Sequence, residues 1–184
     1  MTALDFFARW RVRIGYFLSV AVLWLSNPVP RSILIGACVG VFGLAIRAYA
    51  AGYLHKQEVL TTTGPYARTR NPLYFGSSLL MAGAAIALNS WWSAALLLLY
   101  FALVYSFVMR REAMELRVRH GAAFDEYAAA VPLFFPRLTR AMPPDHTGNS
   151  FSWAQFKKNH EHQATLGFLM FLLVLVVVWR MHVA

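Results

Sequence analysis

Acidic side chains are scarce in this chain: 8 Asp and Glu stand against 17 Lys and Arg, and charged residues make up only 14% of its 184 positions. Soluble domains carry about 25%, so a water-facing surface of ordinary extent is excluded. A single cysteine, Cys38, lies inside an apolar block; no intramolecular disulfide can form, and the redox compartment leaves no mark. Several fingerprints of soluble enzymes are also missing. There is no glycine-rich turn between a strand and a helix, no phosphate loop, no serine elbow and no paired cysteines at metal spacing. The six histidines form no metal pattern, since His160 and His162 are too close in sequence to share a helical face and His146 lies in a Pro/Asp/Gly loop. No metal is therefore expected. What the chain has is apolar mass, 59% hydrophobic residues with a mean hydropathy of +0.49. These residues come in long blocks, so the solvent for most of them is lipid. The net charge of +9 does not point to nucleic acid, because the arginines flank the apolar blocks and form no single basic stripe.

An all-α, integral membrane helical bundle of about five spans plus a cytosolic amphipathic helix, in one domain, follows. A membrane-crossing helix needs roughly 20 apolar residues, and the candidate spans are 14–26, 33–54, 72–88, 91–109 and 164–179. The first is short and ends at Asn27, Pro28 and Pro30, with Trp10 and Trp24 as interfacial residues. It lacks a small-residue cleavage site and leads into another span, so it reads as a retained helix. Pro72 stands at a first helical position, where a missing N–H costs nothing. The Asn89-Ser90 turn is short enough to require an antiparallel hairpin of the third and fourth helices. Small residues (Gly76, Ser77, Ser78, Gly83, Ala84 and Ala85) suit the third helix to close packing.

Cytoplasmic loops hold the excess of Lys and Arg. Arg9, Arg11 and Arg13 precede the first span, Arg31 alone marks the first turn, and Lys56, Arg68 and Arg70 lie in the next loop; the Asn89 turn has none. Arg110, Arg111, Arg117, Arg119, Arg137, Arg140, Lys157 and Lys158 follow the fourth span, and Arg180 alone is basic near the C-terminus. The alternation predicts a cytoplasmic N-terminus, an outside C-terminus, and two polar segments, 55–71 and 110–163, sharing the cytoplasmic face.

Chemistry is expected in those two segments. In the first, His55, Lys56, Tyr66, Arg68, Arg70, Asn71 and Tyr74 fall within twenty positions, on a backbone restrained by Gly64-Pro65 and Asn71-Pro72. An interfacial loop with aromatic anchors and snorkelling arginines is one reading of it; a binding loop for an anionic or polar ligand is the other, and density favours the latter. The second segment starts helically. Arg111 stands four before Glu115, an ordinary surface pair, and Arg117 and Arg119 suit a solvated face. Glu112 differs because it stands at the membrane boundary, where an ionised group is costly without a partner or a role. The helix ended by Pro132 and the aromatics after it fit either a cap folded over the membrane face or simple interfacial packing.

Gly64-Pro65-Tyr66 with Arg70-Asn71-Pro72-Leu73-Tyr74, followed by Arg110-Arg111-Glu112, Leu116, Gly121, Tyr127 and Val131-Pro132, resembles the isoprenylcysteine carboxyl methyltransferase and phospholipid methyltransferase family over about residues 52–137. The resemblance implies a membrane enzyme that uses S-adenosylmethionine, held near the cytosolic surface by the loop before the third span and by the Glu-bearing helix after the fourth. His55, Lys56, Gly64, Pro65, Tyr66, Arg70, Asn71, Pro72, Tyr74 and Glu112 would bind the cofactor, and Arg110, Arg111 and Glu112 would serve the reaction. The acceptor implied is a hydrophobic or lipid-anchored molecule, with membrane lipids as the surroundings and no nucleic acid. This chain departs from the family pattern at Asn71 (histidine is usual), Ala113 (often a second glutamate), His120 (phenylalanine) and Phe124 (tyrosine). The Ala113 change bears on the acceptor more than on the cofactor. A nicotinamide-dependent sterol reductase, whose C-terminal pattern is similar, and a non-catalytic membrane sensor or partner-binding subunit stand as alternatives.

Overall fold

The computed structural model describes residues 3–55, 59–139, 141 and 150–183, with side chains from Arg13 onward. Among the described residues the chain is all helix and connection, with no strand. Helix α1 is Ala3–Trp24, α2 Pro30–Tyr53, α3 Pro72–Leu88, α4 Trp91–His120, α5 Ala122–Ala130, α6 Trp153–Lys158 and α7 His162–Val183, with a 3-10 turn at Gly64–Ala67. Of these, α2, α4 and α7 are each long and apolar enough to cross a membrane, whereas α3 and the Arg13–Trp24 part of α1 are shorter apolar helices. Their outward faces carry large apolar side chains, such as Phe17, Phe42, Leu99, Leu169 and Leu173, each more than half exposed. A soluble surface of that kind would aggregate; in a bilayer it is the ordinary lipid-facing side.

The expected elements and the observed ones differ mostly at their ends. Helix α3 has the bounds expected of the third span, with Pro72 in its first turn. The fourth span and the polar helix after it are one continuous helix of 30 residues, about 45 Å long. It continues without a break through Arg110 because nothing from Trp91 to His120 is Gly or Pro. Gly121 ends it with φ +52°, on the side of the map that glycine tolerates.

Helices α2 and α3 approach closely along their lengths. A Cβ added to Gly36 would sit 2.4 Å from the Gly83 carbonyl oxygen, and one on Gly43 2.7 Å from that of Gly76. Without a hydrophobic drive between helices in lipid, such close backbone contact is what associates them. Phe168 of α7 lies directly over Gly40. At one end of the bundle the two short turns meet, with Asn27 N donating to Leu88 O at 3.0 Å and the Asn89 amide donating to Asn27 O at 2.9 Å. Val22, Leu88, Leu97 and Leu175 pack beside them, so α7 ends at this side. At the other end α6 closes α2. The side chains of Gln155 and Asn159 both donate to Leu54 O, at 2.5 and 2.9 Å, and Asn159 also to Ala51 O at 2.8 Å. The last carbonyls of a helix lack intrahelical partners, and here side chains supply them.

Candidate functional site

The loop ahead of α3 is shaped by its turn residues. Gly64, with φ +60°, has no room for a side chain, since a Cβ would lie 2.6 Å from the Tyr53 ring. Pro65 then starts the 3-10 turn that buries Tyr66 and Ala67. From Ala67 to Asn71 this loop is stitched to the segment after α5. Arg70 N donates to Pro132 O at 2.9 Å, Arg137 N to Arg68 O at 2.9 Å, and Ala141 N to Ala67 O at 3.0 Å. The Thr69 hydroxyl, fully buried, donates to Phe134 O at 2.8 Å, and the Asn71 side-chain amide to Leu133 O at 2.9 Å. Phe134 stacks edge-on with Phe75 at 5.9 Å and lies 6.4 Å from Phe101. The segment after Pro132 is therefore a cap folded onto the loop, the first of the two readings its sequence allowed.

The long helix brings Glu112 to this loop. Tyr74, in the first turn of α3, donates its hydroxyl to Glu112 Oε1 at 2.6 Å, a short charge-assisted bond. Tyr127 of α5 donates to the main-chain oxygen of Tyr66 at 2.8 Å, deep in the cluster of Phe124, Tyr127 and Val131. Two polar atoms here are buried with no hydrogen-bond partner among the described residues, the Tyr66 hydroxyl and the Arg70 Nε. Burial pushes the Tyr66 phenol well above its ordinary value, with Tyr127, Glu112, Tyr74 and Glu161 adding to the shift, so it is a neutral donor at physiological pH. Burial raises Tyr127 as well, opposed by the Arg70 charge. Arg70 is lowered by its own burial and supported by Tyr127; its guanidinium lies 6.0 Å from the centre of the Phe124 ring and stays cationic. Beside it opens a cleft of about 470 Å³ lined by Arg70, Phe107, Arg110, Ala113, Met114 and Leu133. Two cations and apolar walls make it suited to an anionic head on a hydrophobic body.

Among the residues singled out in the sequence, the fold brings Tyr66, Arg70, Asn71, Pro72, Tyr74, Arg110 and Glu112 into this neighbourhood, with Gly64 and Pro65 forming its turn. His55 lies at the end of α2, its N–H donating to the Thr61 hydroxyl at 3.4 Å. Arg111 pairs with Glu115 at 2.9 Å on the exposed side of α4, and Arg117 with Asp125 at 2.9 Å across the α4–α5 corner. Lys56 lies outside the described residues. No group of three or more metal-ligating side chains occurs among the described residues.

Sequence reasoning missed two groups next to this site, Arg47 of α2 and Glu161 just before α7. They form an ion pair at 2.5 Å, Arg47 also bonding Ser77. A charged residue inside an apolar span is a signal in itself, and Arg47 carried it.

Comparison with known proteins adds a second line. The nickel-cobalt-cadmium resistance protein NccN of Alcaligenes xylosoxydans xylosoxydans is 34% identical over 140 residues, covering 71% of this chain and 64% of that protein. The cobalt-zinc-cadmium resistance protein CzcN of Cupriavidus metallidurans is 32% identical over 140 residues, covering 71% and 63%. The chain thus spans a little under two thirds of the length of these curated relatives. No solved structure matches it. The model of the phospholipid methyltransferase family matches residues 14–121, a stretch that runs from the first apolar helix through the 3-10 turn and Tyr74 to the end of the helix bearing Glu112. By that match, over more than half of its length, the chain belongs to the phospholipid methyltransferase family.

Proposed function

We propose that this protein transfers a methyl group from S-adenosylmethionine to a lipid-borne or hydrophobic acceptor at the cytosolic face of a membrane. One observation carries the reading: in a chain of this family, the buried Tyr66 hydroxyl, within electrostatic reach of the Tyr74–Glu112 pair, and the buried Arg70 Nε, by Phe124 and Tyr127, find no hydrogen-bond partner among the described residues. The donor set fits the cofactor, a zwitterion with a carboxylate and an ammonium. Arg70 and the Tyr66 hydroxyl would hold the carboxylate, and Glu112, oriented by Tyr74, would hold the ammonium. The turn at Gly64 and Pro65, with Asn71 and Pro72, fixes the backbone around them. When bound, S-adenosylmethionine supplies a methyl on a positively charged sulfur.

What remains for the protein is placement. In-line displacement gains most of its rate from holding the reactants at about 3–3.5 Å in alignment. An acceptor carboxylate, with an ordinary pKa of about 3.3–3.7, is ionised at neutral pH and needs no base. Arg110 on the wall of the cleft favours such an acceptor, a prenylcysteine-type carboxylate being one example, because a guanidinium binds a carboxylate bidentately. Phe107, Met114 and Leu133 would take its apolar part. An amine acceptor would need a proton removed, a task for Glu112 or His120.

All five apolar helices cross the bilayer in this reading, with the N-terminus and the site in the cytoplasm and the C-terminus outside. The alternating Lys and Arg content supports that orientation, as does the meeting of the two arginine-poor turns at the opposite end.

Calorimetry on the purified protein tests the cofactor. Wild type is expected to bind S-adenosylmethionine, and Glu112→Gln and Arg70→Ala each to weaken binding about tenfold or more; unchanged affinity in both would overturn the assignment. Incubation with labelled S-adenosylmethionine and a fractionated lipid extract then identifies what becomes methylated.

A further inference from the structure

Arg47 and Glu161 lie outside every motif that led to the site, and Glu161 is beyond the family match, which ends at residue 121. Arg47 stands six residues before the end of α2, about 9 Å along the helix axis from it. Its side chain is 20% exposed and that of Glu161 7%, so the pair is largely withdrawn from water. The Arg47 Nε donates to Glu161 Oε1 at 2.5 Å, and its Nη1 bonds the Ser77 hydroxyl and approaches Leu73 O at 3.5 Å. Ser77 in turn donates to Leu73 O at 2.9 Å. The first turn of α3 is thereby gripped on two sides. Leu73 and Ser77 are held by the ion pair, while Tyr74, the residue after Leu73, reaches out to Glu112.

Stability is a weak reason for such a pair. Replacing a buried ion pair by packed apolar residues is often neutral or stabilising, because desolvation cancels the Coulombic gain. What an ion pair does supply is a fixed geometry. We propose that Arg47 and Glu161 are positioning residues for the site, using α7 as an anchor to hold the first turn of α3 where Tyr74 orients Glu112 and Tyr66 faces the ligand. This rests on the cofactor reading above. Glu161 also adds, after burial and three other neighbours, to the pKa-raising field on the buried Tyr66 phenol, which puts it within electrostatic reach of that side chain.

Thermal midpoint and S-adenosylmethionine affinity, measured on the same detergent-purified variants, separate positioning from folding. Arg47→Met and Glu161→Leu alone each leave one buried charge and are expected to lower the midpoint. The double variant removes both charges; it is expected to regain the wild-type midpoint yet bind S-adenosylmethionine at least about tenfold more weakly, as small misplacements remote from the reacting atoms do. Should the double variant fail to regain the midpoint, Ser77→Ala decides. It keeps the ion pair and loosens its hold on α3, with an expected loss of about threefold in affinity at an unchanged midpoint. Wild-type affinity in the folded double variant, or in Ser77→Ala where that variant decides, makes the pair purely structural and overturns the proposal while leaving the cofactor reading intact. Absence of binding by wild type overturns the cofactor reading itself, and this inference with it.

Discussion

Two buried phenols, Tyr66 and Tyr127, give the site a signature in alkaline solution. Burial raises both above the ordinary tyrosine value of about 10. The folded protein therefore keeps them neutral at a pH where the unfolded chain has released their protons. Their contribution to stability is complete below about pH 10 and is lost as pH rises above it. In an alkaline titration followed by phenolate absorbance, Tyr66 and Tyr127 are expected to ionise only with unfolding, and Tyr66→Phe and Tyr127→Phe each to remove one late-titrating group. Thr69 offers a second measurement. Its hydroxyl satisfies the Phe134 carbonyl and lies 3.3 Å from Asn71 N, so Thr69→Val is expected to cost about 1–3 kcal/mol in equilibrium unfolding, the range for leaving buried polar groups unpaired. The residues with unusual local chemistry, Tyr66, Arg70, Tyr74 and Glu112, could be picked from the sequence because they crowd around turn signals and a membrane boundary. Thr69 and Glu161 could not. Their importance comes from partners 65 and 114 positions away, and no local pattern encodes a contact at that separation.

Among the elements, α2 and α3 depend on the absence of side chains. A Cβ on Gly83 would meet the Gly36 carbonyl oxygen at 2.6 Å and Gly40 N at 2.7 Å, backbone atoms that cannot turn aside. Gly83→Val is expected to destabilise by about 1–3 kcal/mol or more through overpacking. Gly167 of α7 has nothing within 4 Å of such a Cβ, so Gly167→Ala is expected to stabilise by about 0.5–1 kcal/mol, the helical advantage of alanine. Both are readable by unfolding in mixed micelles, and equal effects would refute the packing assignment. The existence and type of these helices were legible because apolar blocks of that length admit little else. The join at Arg110 was less so: hydropathy falls sharply there, but the backbone hydrogen bonds that make a helix do not depend on hydropathy, and α4 runs through. The cap after α5 was ambiguous because its aromatics serve equally as anchors in lipid and as packing against Phe75 and Phe101.

For the molecule as a whole, the proposed cofactor reading links binding to folding. With S-adenosylmethionine at a hundred times its dissociation constant, the protein is expected to gain about 2.7 kcal/mol, seen as a raised thermal midpoint that Glu112→Gln diminishes. Membrane residence and the all-α class were readable from composition alone. The assembly of the site was not, because it joins the loop before α3, the far half of α4 and the segment 131–139, three stretches whose meeting depends on tertiary packing.

The unbroken course of α4 has a mechanical consequence. Near one end Ser93 donates to Val22 O at 2.9 Å, tying the helix to α1, and Glu112 stands nineteen residues further on, about 28 Å along a rigid rod. That distance is close to the hydrocarbon thickness of a bilayer, about 30 Å. In the proposed orientation the protein carries its own gauge: the height of Glu112 above the far leaflet is set by the helix, while the position of the water boundary is set by the lipid. In bilayers of longer acyl chains the carboxylate is submerged, and in shorter ones it is lifted clear, unless the bundle tilts or the lipid deforms. Methyl transfer in reconstituted vesicles is expected to peak at one chain length and fall on either side, and a flat profile would mean that α4 does not act as a fixed rule.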